Sequence, residues 1–256
     1  MNGQGRPRVK RLKTAAVLGA GAIGSALLRG LPKAGVRIVA RWTRGTKKSL
    51  PSTAAAEVIF LAVSDGAIAS LCEQLDLKKG QLVVHLAGAL PLPVLQGARS
   101  KGARIGSLHP LRAVTAGDDF RGAAAGIAGS DPTARAQLTD LAKRLGMRPL
   151  AIPDGSRALY HAAAVLAAGA QVALFSEAVR AFQKATRARE PEARAALLPL
   201  ALGALAKLYK LPAAEALTGP AARGDLRTIA AHREALPKDL LAIYDQLTHV
   251  ALKLKG

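Results

Sequence analysis

Residues 17–31 read VLGAGAIGSALLRGL, straight after the basic segment RPRVKRLK at 6–13. Two readings compete for this stretch. A basic start followed by an apolar run is how a signal peptide opens. Three glycines argue against it. Gly19, Gly21 and Gly24 form G-x-G-x-x-G. TAAVLG before them reads as a short buried strand. AIGSALLRGL after them reads as a helix with Ile23, Leu27, Leu28 and Leu31 on one face. Strand, tight turn and helix in this order are what a dinucleotide site requires. The first glycine permits the turn and the second lets a pyrophosphate approach the main chain. The third lets helix and strand pack closely, and the helix N-terminus faces the phosphates. On this reading Gly19, Ala20, Gly21, Ala22, Ile23 and Gly24 hold the cofactor.

The next element supports the same reading. GVRIVARWTRGTKK predicts a second strand, 36–40, running into a basic loop. An enzyme that uses NAD usually carries Asp or Glu at the end of this strand, bonded to the ribose 2′-OH. Here there is none; Arg41, Arg44, Lys47 and Lys48 follow instead. Guanidinium groups hold a 2′-phosphate with paired hydrogen bonds, whereas a carboxylate repels it. Arg41 and Arg44 therefore favour NADP, and the two lysines read as solvated loop charges.

Further strands are predicted at 57–63, 81–88, 102–110 and 123–130, with a last one in MRPLAIP. Helices over 66–75 and 133–146 alternate with them. This is the pattern of a doubly wound parallel sheet in the α/β class, whose ligands sit beyond the carboxyl ends of the strands. Polar residues gather at those ends. Ser64 and Asp65 read first as helix caps, and Ala62, Val63 and Ser64 also border the cofactor. His85 reads as a satisfied core histidine or one packed beside the cofactor. Ser107 and His109 close a strand near the substrate, and Pro110 keeps His109 out of helix.

Composition shifts after Asp154, where glycine-punctuated strands give way to helix. Residues 1–153 make the dinucleotide-binding domain, with 1–13 as a basic disordered tail. Residues 154–256 make an all-α domain. Residues 157–188 read as one long helix, and between Ala162 and Phe175 its only polar side chain is Gln171. That run stops short of the roughly 20 apolar residues of a membrane span, so a buried helix is expected and no membrane association. Tyr160 and His161 stand at its start. Shorter helices follow at 192–209, 212–217, 225–235 and 238–253. The turn LTGPAARGD carries Thr218, Arg223 and the cap Asp225.

Half of the residues are hydrophobic and only 3% aromatic, so the core is built from Ala, Leu and Val. The lone Cys72 allows no internal disulfide, which suits a reducing, cytoplasmic setting. No H-x-x-x-H or C-x-x-C spacing predicts a metal. The net charge is +20, and the segment from Met1 to Ala56 is rich in Lys and Arg and holds no Asp or Glu. Without interleaved aromatics or a reading motif, nucleic acid is expected only as a non-specific contact of the tail.

The pieces VLGAGAIGSALL, FLAVSDGAI, VVHLAGAL, SLHPL, YHAAAVLAAGAQVAL and LTGPAARGD occur in an order that covers nearly the whole chain. In them the sequence resembles a family of Rossmann-like oxidoreductases with a helical C-terminal domain of unknown function. These are relatives of pyrroline-5-carboxylate reductase, the 6-phosphogluconate dehydrogenase group and the deazaflavin-dependent NADP reductases. The resemblance implies a Rossmann domain, NADP as cofactor and a helical domain that forms a homodimer. In that pattern Ser-Asn would follow YHAAAVLA, whereas Ala168-Gly169 stand here. The first half of the long helix also lacks the lysine with which the wider group's hydroxyacid dehydrogenases donate a proton.

Together these readings predict an NADP-dependent oxidoreductase passing hydride between the nicotinamide and a small carbonyl or imine held between the domains. His109, His161 and Tyr160 are the candidate proton donors. Ser107, Gly169, Thr218 and Arg223 are candidates for the substrate. The alternative is a non-catalytic NADP-binding sensor or scaffold.

Overall fold

A computed structural model describes residues 10–43, 45, 49–115 and 117–255. The chain divides into two compact units, residues up to 166 and residues from 167 on. The division falls inside the long helical stretch and not at Asp154.

The first unit is a sheet with helices on both faces. Its strands are β1 (Thr14–Leu18), β2 (Arg37–Trp42), β3 (Val58–Leu61), β4 (Leu82–His85), β5 (Arg104–Leu111), β6 (Ala124–Gly129) and β7 (Arg148–Ala151), in the order β2-β1-β3-β4-β5-β6-β7. The order reverses at β1, whose partners are β2 on one side and β3 on the other. In such sheets the crevice at the reversal takes the ligand. All pairings are parallel except β5 with β6. The sequence predicts a sheet that is parallel throughout. The difference arises because no crossover helix separates β5 from β6, and a parallel return needs one.

Helices α1 (Ala22–Lys33) and α4 (Pro132–Arg144) follow β1 and β6; the short α2 (Ile68–Glu73) and α3 (Gln96–Ser100) follow β3 and β4. One cluster joins Val17, Leu27, Phe60, Leu108, Leu138 and Leu141. Another joins Leu18, Ile59, Leu61, Ile68, Val83 and Ile105. β3 is buried at every position, and so is β4, which suits strands covered on both sides. The basic tail ends earlier than predicted. Lys10 pairs with Glu57, Leu12 is buried, and Arg144 donates to the Leu12 carbonyl. Residues 10–13 thus belong to the sheet unit, and only 1–9 of the tail lie outside the described residues.

The long helix predicted over 157–188 is two. α5 (Arg157–Ala167) ends at Ala168, whose φ of −127° and ψ of −75° leave the helical region, and α6 (Gly169–Thr186) ends at the left-handed Arg187. Nor is the stretch buried in its own chain. Leu159 is 76% exposed and Val172 72%. By length and composition alone 154–186 would cross a membrane, yet α5 begins at a buried arginine bonded to the sheet. The second unit continues with α7 (Glu190–Ala206), α8 (Ala213–Ala216), α9 (Pro220–Arg223), α10 (Leu226–Ala235) and α11 (Lys238–Lys253). Asp225 caps α10 by accepting from the Thr228 N–H at 3.0 Å, as predicted.

Candidate active site

The turn after β1 is shaped by two glycines that the fold requires. Gly19 has φ +114°, and a Cβ there would stand 2.0 Å from the Ala62 carbonyl oxygen. A Cβ at Gly24 would stand 2.2 Å from the Gly19 oxygen. Backbone bonds fix the turn, from the Gly19 N–H to Trp42 O (2.7 Å) and from the Ala62 N–H to Leu18 O (2.7 Å). Gly21 differs. Its φ is −62°, and a Cβ on it meets nothing within 4 Å. Gly21 is the N-cap of α1 and offers no side chain to the first-turn amides; the first turn holds no acidic residue. Ala20, Gly21 and Ala22 are exposed, while Ile23 packs against the core. The amides of this turn are therefore open to an anion, and the macrodipole favours one.

Beside the turn, at the carboxyl ends of β2 and β3, lies a hollow of about 730 Å³ lined by Trp42, Leu50, Val63, Ala67, Ser70 and Gln74. Arg41, exposed at the end of β2, lines a second hollow of about 510 Å³ with Leu28 and Ser52. Arg44, Lys47 and Lys48 lie outside the described residues. Ser64 is exposed and makes no side-chain cap, and the α-helix proper is capped by Ala67. A short 3-10 turn at Asp65–Ala67 intervenes, so the predicted cap at Ser64 or Asp65 is not made. The residues present thus fit a dinucleotide diphosphate, with room for a base nearby.

A second cluster stands at the ends of β4 and β5. His109 on β5 pairs in register with Gly126 on β6. Its Nδ1 lies 2.9 Å from the Tyr160 hydroxyl, and its ring meets His161 edge-on at a centroid distance of 5.6 Å. Two glycines make the space. A Cβ on Gly126 would come 2.5 Å from the Tyr160 oxygen, and one on Gly88 would come 2.3 Å from His161 Nδ1. Burial, reinforced by His161 and Arg157, pushes His109 down to about 4. At neutral pH it is uncharged, so it does not give up a proton as an imidazolium, contrary to the expectation from histidine's ordinary range. Burial raises the Tyr160 phenol, which stays protonated.

Beneath lies Arg157, only 1% exposed. One of its terminal nitrogens donates to the Ala87 carbonyl (3.0 Å) and to the Ser107 hydroxyl. Its Nε and other terminal nitrogen find no acceptor among the described residues. Asp154 is near enough for its charge to be felt, but its carboxylate accepts the Leu92 N–H instead. His85 has no exposed surface, and among the described residues neither ring nitrogen has a partner, so it is not the satisfied core histidine expected. Nor does it offer a surface to a cofactor. Burial first, then Arg157 and His109, hold it down to about 3. An unmade buried hydrogen bond costs about 1–3 kcal/mol. Five of the seven such side-chain atoms among the described residues are on His85, Arg157 and His161. Arg157, Gly88 and Gly126 were not singled out from the sequence. The signal for Arg157 was there, because it is the only Lys, Arg, Asp or Glu between Asp154 and Glu177.

Gly169, Thr218 and Arg223 belong to the second unit; all three are exposed, Gly169 opening α6 and Arg223 ending α9. Among the described residues no three His, Cys, Asp or Glu side chains could share a metal ion.

Two family models match the chain. Residues 14–88 match "NADP oxidoreductase coenzyme F420-dependent", and residues 123–250, half of the chain, match the domain of unknown function DUF2520. The chain belongs to the DUF2520 family. Solved structures carry the same fold. A Bacteroides fragilis protein described provisionally as an NADP oxidoreductase is 23% identical, with a TM-score of 0.75 over 95% of this chain and 98% of that one. Plasmodium falciparum pyrroline carboxylate reductase with NADP bound gives 13%, 0.61, 96% and 98%. Aspergillus terreus reductive aminase in complex with NADPH and ethyl levulinate gives 18%, 0.66, 95% and 94%. No curated protein matches the sequence. The DUF2520 match starts at the beginning of β6, so Gly126, Arg157, Tyr160 and His161 lie within the matched stretch.

Proposed function

We propose that this DUF2520 protein is an NADP-dependent reductase of a small carbonyl or imine compound. One observation carries the reading. Gly21 is a glycine at a place where the fold has room for a side chain and the backbone has an ordinary φ. What needs the bare backbone there is a ligand at the helix N-terminus, and a pyrophosphate is the ligand such a turn accepts. The amides from Ala20 to Gly24 would hold the diphosphate, Arg41 the 2′-phosphate, and the hollow beside Trp42 the adenine. When bound, NADPH supplies a hydride. The names of the fold neighbours, an NADP oxidoreductase, a pyrroline carboxylate reductase and a reductive aminase, agree with this chemistry.

The protein's own part is proton supply and positioning. Tyr160, protonated and bonded to neutral His109, is the donor. His109 accepts from the hydroxyl and holds it in place, and a proton taken from water restores the phenol after turnover. Gly88 and Gly126 let these rings lie against the strand ends. We also propose a cytoplasmic homodimer formed through the helical unit.

Turnover tests the reading. NADPH oxidation is followed by its absorbance with a panel of cyclic imines, aldehydes and 2-oxo acids. Tyr160→Phe should lower kcat by about 10²–10⁴-fold, the usual range for a positioned general acid, while NADPH still binds. A panel with no turnover by the wild type, or full activity in the phenylalanine variant, would overturn it.

A further inference from the structure

Among the described residues Arg157 is a buried cation without an ion-pair partner. Asp154 lies close by but bonds elsewhere, and the N–H groups on two of the three guanidinium nitrogens meet no acceptor. Unpaired buried charge is rare because desolvation is costly. Replacing such a group by an apolar side chain often stabilises a protein. A fold that keeps it has a use for it. Its place is informative too. The guanidinium is tied to Ala87, just past the end of β4, and to Ser107 on β5, so it sits at the ligand-binding edge of the sheet. No other residue of α5 is buried, and the adjoining Ala158 and Leu159 are exposed.

We propose that Arg157 receives the carboxylate of the substrate, and that the substrate is a 2-oxo or 2-imino acid. A guanidinium fork with free N–H groups matches a carboxylate in shape and charge. Arg157 and Tyr160 stand three residues apart on α5, which puts their side chains about 5–6 Å apart at Cβ. A carboxylate on the first therefore sets the adjoining C2 carbonyl or imine toward the hydroxyl of the second. C2 takes the hydride of NADPH and the oxygen or nitrogen takes the Tyr160 proton, giving a 2-hydroxy or 2-amino acid and NADP+. The proposal rests on the reductase reading and names its substrate class.

The test separates the two. Calorimetry without coenzyme measures acetate and pyruvate binding to wild type, Arg157→Met and Arg157→Lys at matched ionic strength, with chloride as the inorganic anion. NADPH titrations on the same proteins report the coenzyme site independently. The expected result is that both carboxylates bind wild type, at least tenfold weaker in Arg157→Met and with partial recovery in Arg157→Lys. Arg157→Met should melt no lower than wild type in anion-poor buffer. The proposal is overturned if neither carboxylate binds, if chloride alone does, or if Arg157→Met binds them equally well. A lower melting point for Arg157→Met with no carboxylate effect in wild type would make Arg157 a structural tie to Ala87 and Ser107. Arg157→Lys decides the matter if Arg157→Met does not fold.

Discussion

His85 and His109 are ordinary histidines made unusual by where β4 and β5 end. Folding holds them at about 3 and about 4, against about 6.5 in an unfolded chain. In between, the unfolded chain binds protons that the folded one refuses. Stability is therefore complete above about pH 6.5 and falls as the pH drops, by about 1.4 kcal/mol per unit for each histidine. Urea unfolding over a pH series should show this acid limb. His85→Met should remove one histidine's share of the slope, and an unchanged slope would contradict the burial of a neutral His85. None of this was legible in the sequence. Five histidines could be counted, but their desolvation depends on which strands pair and on Arg157, which lies far from His85 along the chain. Gly19 and Gly24 were legible, because the motif's spacing encodes a tight turn whose sterics recur in the structure.

Elements were read well where one periodicity ruled. β1, α1, β3 and α11 follow directly from glycine spacing, apolar runs and helical repeats. The 157–188 stretch misled because apolar alanine-rich sequence is helical on both sides of a break, and nothing in its hydropathy marks Ala168. The break does have a local signature in Gly169, which costs helix about 0.5–1 kcal/mol relative to Ala. Gly169 has no positive φ, and a Cβ on it would meet nothing within 4 Å. Gly169→Ala should stabilise the helical unit by about 0.5–1 kcal/mol, read as a higher midpoint in thermal unfolding. A lower midpoint would show that the position needs glycine. The antiparallel β6 escaped the sequence reading for a different reason. Strand direction is set by the connection, and the 112–123 segment carries no pattern that declares it too irregular for a crossover helix.

At the scale of the molecule, the apolar helices ask for cover that the described residues do not give them. On α7, Leu198, Leu200, Leu202 and Leu205 are 43–70% exposed. Exposed apolar surface of this extent suits a second copy of the chain. Light scattering should therefore report twice 26.4 kDa, and Leu200→Asp should shift the population toward one chain's mass. A monomer at micromolar concentration would refute the homodimer. The basic charge belongs to this scale as well. A net charge of +20 gives the molecule a positive potential, which attracts phosphates from a distance before any contact is made.

The measurement that bears most directly on the reductase reading is an NADPH titration of wild type and Gly21→Ala, followed by calorimetry and by the fluorescence of the single tryptophan, Trp42. Wild type should bind NADPH, and bind NADH at least tenfold more weakly. Gly21→Ala should melt at the wild-type temperature and bind NADPH at least tenfold more weakly than wild type. No heat with wild type, or equal binding by the alanine variant, would contradict the claim that a diphosphate rests on the main chain at Gly21.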